Sequence, residues 1–385
     1  MGLFDTFKKL FHHSIDNTSA AEQTLFRGND SPVKITFSRE PPADSPSPDI
    51  VPLSVRLKKA VPTMRGLYPH EILMLEYAHT YSTDLSHQHF QGFWYYEYSV
   101  EHPGDVVKSL EKRGFIQPGN LRSAIQNQTV PVIKNELKAI GQKVSGKKAD
   151  LIDRLLSNTS PEELEKKFPV RFYELTESGT QELTENQYVS YLHRHKYMSI
   201  WEMNDRLNHK NPHHLGFRDL IWQFFNEESL KHLHEGDMGL YRNTRLDMYE
   251  FLFEEKKYEQ AFNLLCEVIA YDLSGMDNSE FSDIDEKFRL QLMLKYDFPY
   301  SQSNAKLPPA IKQWMANLQG RLELSDDALR ERLLQQFESI SLYRCIFTNA
   351  ECVDIVMAEL IDDADILDTI YHKAEARLRA QLKAI

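Results

Sequence analysis

Between Thr129 and Leu156 two short apolar stripes at helical spacing flank a pair of glycines, a pattern that a helix–turn–helix satisfies. Thr129 is a favourable N-cap, and Pro131 falls in the first turn, where its missing N–H does no harm. Val130, Ile133, Leu137 and Ile140 share one face. Gly141 can stop the helix by taking positive φ. Gly146 then permits a tight turn into a second helix bearing Ala149, Ile152, Leu155 and Leu156. The core of two such helices is small, as expected of a module of about 35 residues.

The same residues carry a family resemblance. IKNELKAIGQKVSGKKADLIDRLL resembles the SAP motif, an L-K-x-x-L helix, a G-L-x-x-x-G turn and a K-K-x-x-L-I-x-R-L helix. The correspondence runs through Ile133, Lys134, Leu137, Gly141, Gly146, Lys147, Lys148, Leu151, Ile152, Arg154 and Leu155. It departs at Gln142, where the family buries an apolar residue. The resemblance implies binding of DNA or, less often, RNA through the turn and the start of the second helix. Lys134, Lys138, Lys143, Gly146, Lys147, Lys148 and Arg154 are the candidate contacts.

Electrostatics point the same way. A helix N-terminus presents free backbone N–H groups and the positive end of a dipole, which suits a phosphate. Lys147 and Lys148 stand in that turn, where a cation disfavours the helix itself and a phosphate would relieve the conflict. The whole chain is acidic, with a formal charge of −12, so the distribution of charge matters more than its total. From Gln126 to Asn158 six Lys/Arg face three Asp/Glu, whereas from Phe217 onward 19 basic residues face 31 acidic ones. Phosphate contacts supply most non-specific affinity, and about three of them are expected from this segment. No array of Arg, Asn or Gln at recognition-helix spacing suggests base reading.

Elsewhere the chain divides by composition. Leu3, Phe4, Phe7, Leu10 and Phe11 lie on one helical stripe opposite Lys8, Lys9 and His12, an amphipathic segment (1–37) suited to docking on protein or, alternatively, on a membrane surface. Met1 to Thr6 also match a myristoylation pattern, a weak signal at that length. SREPPADSPSPDIVP then opens a Pro-rich linker (38–66). Helical patterns begin at Pro69 and Pro103; strands are expected at Phe115–Ile116 and Arg171–Leu175, and Thr176 is placed to cap one helix carrying Leu183, Tyr188 and Leu192. LEKRGFI and FYELTESG resemble the two sides of a winged-helix wing, which makes residues 122–160 an insertion at its tip. That resemblance implies a winged-helix-like domain from 67–121 plus 165–195. In the helical remainder, 196–385, TRLDMYEFLFEEKKYEQAFNLLCEVIAYDLSG resembles a tetratricopeptide-type hairpin. One recognisable copy is too few for a solenoid, so a helical bundle or short array is expected.

The expected fold is therefore mainly α with a small β wing, in several domains. Cys266, Cys345 and Cys352 lack CxxC spacing, which fits a reducing cytoplasm. No signal peptide and no membrane-spanning apolar run is visible. Histidines gather between His193 and His234, and acids at Asp362, Asp363, Asp365 and Asp368, but neither group has metal-ligand spacing. Phosphate-loop, nucleophile-elbow and catalytic-cysteine patterns are missing. No enzyme activity, metal or cofactor is expected. The expected function is a nucleic-acid-binding accessory or regulatory protein, with DNA favoured over RNA and a protein partner or second copy on the helical half. An interaction scaffold, docking through the N-terminal segment, is the alternative.

Overall fold

The computed structural model describes residues 51–276, 284–298 and 307–385. The expectations for 1–37 and for the prolines of 38–50 lie outside the described residues. The chain is mainly helical.

The first part runs α1 (Leu53–Leu57), α2 (Pro69–Tyr77), α3 (Phe93–Tyr96), α4 (Pro103–Lys112) and β1 (Ile116–Pro118). Four helices follow: α5 (Leu121–Gln126), α6 (Val130–Ala139), α7 (Lys148–Asn158) and α8 (Pro161–Lys167), after which β2 (Tyr173–Leu175) returns. β1 and β2 pair antiparallel, with Ile116 opposite Leu175 and Pro118 opposite Tyr173. An antiparallel bridge between Ser82 and Phe172 adds a third extended segment on the other side of the β2 strand.

Small residues hold this junction. Gly114 takes φ +78° and ends α4. Thr176 Oγ1 donates to the Gly114 carbonyl (2.7 Å) and accepts from the Gly179 N–H (3.2 Å), so one side chain joins the end of α4, the end of β2 and the start of α9 (Glu177–Glu185). Gly179 packs so closely that an added Cβ would lie 2.1 Å from the Phe115 carbonyl oxygen. The helix expected to carry Leu183, Tyr188 and Leu192 is two helices, α9 and α10 (Gln187–His195). They break at Asn186, whose side-chain amide donates to the Glu182 carbonyl (2.9 Å), the local competition that makes Asn a poor helix-interior residue.

The remainder is helical: α11 (Ile200–His209), α12 (Phe217–Glu235), α13 (Met238–Glu254), α14 (Tyr258–Ser274), α15 (Glu286–Tyr296), α16 (Pro309–Arg321), α17 (Asp326–Ser339), α18 (Asn349–Leu360) and α19 (Ala364–Ala384). Lys256 takes φ +61° in the turn between α13 and α14, the hairpin expected from the sequence. No described helix is long and apolar enough to cross a membrane.

Buried apolar side chains form two clusters. The larger extends from Leu67 through Trp94, Tyr188, Phe262 and Leu333 to Leu378. The smaller belongs to α5–α8 and contains Ala124, Ile125, Ile133, Leu137, Leu151, Ile152, Leu155, Leu164 and Phe168. Residues between the two strands thus bury a core of their own.

Candidate nucleic-acid interface

The motif's two helices are α6 and α7. Ile133 and Leu137 from α6 meet Leu151, Ile152 and Leu155 from α7, all buried. The sequence reading missed α5 and α8, which enlarge this core with Ala124, Ile125, Leu164 and Phe168. Their signals were legible: Asn120 accepts from the Ser123 N–H (3.1 Å), and Ser160 accepts from Glu163 before a Pro-Glu-Glu start. Thr129 occupies the N-cap of α6, but its side chain makes no capping bond.

The turn between α6 and α7 is built by glycines and one arginine. Gly141 takes φ +69° and Gly146 φ +131°, conformations that side-chain-bearing residues rarely adopt. Arg154 reaches back from α7 and donates through Nη1 to the carbonyls of Lys143 (2.6 Å) and Ser145 (3.2 Å). It braces the turn that presents the lysines. Gln142, the departure from the family pattern, is half-buried at the surface and donates its backbone N–H to Leu137 (2.8 Å).

The candidate lysines differ in how committed they are. Lys138 lies at the last turn of α6, Lys143 in the turn and Lys147 at the N-cap of α7, so the hairpin brings all three to one end. Lys134 is one turn further down α6. None of the four ammonium groups has a hydrogen-bond or ion-pair partner among the described residues; Lys138, Lys143 and Lys147 are exposed and Lys134 is half-buried. Lys148, half-buried, donates through Nζ to the Gln126 carbonyl (2.5 Å), tying the start of α7 to the end of α5.

Each carboxylate of the motif is engaged. Glu136 pairs with Lys167 (2.7 Å) and Asp153 with Arg122 (2.5 Å). Asp150 accepts from the Lys147 backbone N–H (3.0 Å), placing a negative charge at the helix N-terminus. Lys147 has no side-chain acceptor to return the bond, so this cap is one-sided. The N–H groups of Lys148, Ala149 and Asp150, the first three of α7, lack intrahelical acceptors and face the same end as the free lysines.

The other gathered side chains do not converge. His193 is buried between the hydroxyls of Tyr77 (2.7 Å) and Tyr98 (2.6 Å), and burial, with Lys196 and Arg194 adding repulsion, lowers its pKa to about 4. His209 pairs instead with Asp205 and His232 with Glu228. Asp362 pairs with Lys312 while Asp363 caps α19, so the acidic cluster is a helix start rather than one helical face. Among the described residues no group of three His, Cys, Asp or Glu could hold a metal ion.

No curated protein and no solved structure matches the chain. Residues 124–159 match the family model of the SAP domain, generally a DNA-binding or nucleic-acid-associated motif. That span starts in α5 and ends one residue past α7, so it covers the hairpin, its glycine turn and the cationic end. The chain is a SAP domain-containing protein.

Proposed function

We propose that this chain acts by binding nucleic acid rather than by catalysis, and that DNA is the preferred ligand. Lys138, Lys143 and Lys147 contact successive phosphates, Lys134 and Lys148 flank them, and the first N–H groups of α7 complete the site. Gly146 allows close approach of the backbone, and Arg154 holds the turn. The carrying observation is the contrast within the motif: every carboxylate is engaged while four lysine ammonium groups have no partner among the described residues. A phosphate backbone supplies the missing counter-charge without asking for any particular base.

The surrounding elements favour a winged-helix-like frame. Helix α2, the Ser82 segment, α3, α4, β1 and β2 follow one another in the order such a frame requires, and the β2 strand lies between its two neighbours. On this reading the SAP module replaces the tip of the wing, and the acidic helical half engages a protein partner. The acidic surroundings confine polyanion binding to the module.

The test is a gel shift with a short duplex at low ionic strength. Changing both Lys147 and Lys148 to Glu abolishes the shift, and a matching RNA duplex competes more weakly than DNA. Undiminished retention by the double variant would overturn the assignment of the site; equal competition by RNA would overturn the preference for DNA.

A further inference from the structure

A cleft of about 580 Å³ opens over α13 between α12 and α14. Its floor is apolar: Met248, Phe251, Leu252 and Leu264 are buried, and Trp222, stacked on Phe251 at 6.2 Å between centroids, is half-buried in its wall. A volume of this size is within the range that binds ligands specifically.

The rim sorts into fixed and free groups. Arg218 is held by Glu255 and lies 4.5 Å over the Tyr191 ring, and Arg245 is held by Glu267 (2.6 Å). Lys257, Gln260 and Asn263, all exposed on the α14 side, have no side-chain partner among the described residues. On the opposite wall Asn226 uses one amide proton on the Trp222 carbonyl (2.7 Å).

These groups select a class of ligand. Primary amides both donate and accept, as a peptide group does, whereas a phosphate only accepts. The half-buried Trp222 in the same wall offers an apolar surface for one side chain beside them. Of the three cations lining the cleft, Arg218 and Arg245 are matched by carboxylates, which leaves the Lys257 ammonium as the lining cation without a partner among the described residues, available to one ligand carboxylate. Asp219 and Glu255 on the rim disfavour any run of anionic groups, so the cleft suits a segment with a single carboxylate.

We propose that the α12–α14 cleft docks an extended peptide segment of a partner protein, with one apolar side chain against Trp222 and a single neighbouring carboxylate on Lys257. This rests on the reading that the helical half engages a partner, and it is separable from nucleic-acid binding.

The experiment pans a random-peptide display library on the full chain, then titrates a labelled synthetic consensus peptide by fluorescence anisotropy. Enrichment of an apolar residue next to Asp or Glu is expected. Lys257→Glu should weaken the peptide tenfold or more, and Asn263→Ala severalfold. Both side chains are exposed; an unchanged thermal melt reports folding of the variants, and an unchanged duplex gel shift keeps the two sites distinct. No enrichment, enrichment of basic peptides, or equal binding by wild type and Lys257→Glu overturns the proposal. Binding of a single-stranded oligonucleotide that Lys257→Glu removes also overturns it, in favour of a nucleic-acid groove.

Discussion

Replacing Lys147 with Gln removes one exposed charge that has no partner among the described residues and leaves its backbone bond to Asp150 in place. The hairpin end carries three such lysines, at 138, 143 and 147. With one phosphate for each, log affinity should fall with log salt at a slope of about −2.7. Between about 50 and 200 mM salt the wild type then loses roughly 40-fold in affinity. The variant, with two contacts, should show a slope of about −1.8 and a loss of roughly 12-fold over the same range. Anisotropy of a labelled duplex, titrated at several salt concentrations, reads both slopes directly. Lys148→Gln is the informative companion. Its ammonium already serves the Gln126 carbonyl, so that variant should lower the module's stability and change the slope less. A slope for Lys147→Gln equal to the wild type's, with both proteins folded, would refute the phosphate assignment.

The remaining predictions concern the groups that shape the site and its frame. Arg154→Ala removes both bonds to the turn, at about 1.5–3 kcal/mol for a charged donor, and should appear as faster amide exchange between Gln142 and Gly146; unchanged protection would show that the turn needs no brace. Asp150→Asn takes a negative charge from the α7 N-terminus, so stability should fall by about 0.3–1 kcal/mol while duplex affinity rises at low salt; weaker binding would mean that the carboxylate organises the site rather than competing with phosphate. Gly179→Ala forces a Cβ against the Phe115 carbonyl and should destabilise the β1–β2 junction by about 1–3 kcal/mol, seen as a lower denaturant midpoint; a neutral result would mean that the backbone yields there without strain. Burial depresses His193 to a pKa of about 4, and burial with nearby Arg113 does the same to His70. Both are therefore neutral in the folded chain where the unfolded chain takes up protons. Stability should be full above about pH 6.5 and fall toward pH 4, by up to about 1.4 kcal/mol per pH unit for each histidine. Melting curves across that window check it, and His193→Gln should flatten the slope.

The helical hairpin of the SAP module was readable from residue order alone because its causes are local. Apolar spacing sets each helix face, and Gly141 and Gly146 are needed where the backbone takes positive φ. The Lys256 turn between α13 and α14 was readable for the same reason. One local competition went unread: Asn186 splits a stretch whose apolar spacing alone suggests one helix. Contacts distant in sequence decided the rest. Nothing along the chain says that Leu164 and Phe168 complete the core of Ile133 and Leu151, or that Arg154 turns back to Lys143 rather than outward to a ligand. Of the six basic candidates that look alike in the sequence, folding commits Arg154 and Lys148 to carbonyls and leaves four lysine ammonium groups without a partner among the described residues. The cleft over α13 has no signature in the order of residues at all. It exists because three successive helices pack side by side, and packing geometry chooses which side chains of α12 and α14 face each other across α13.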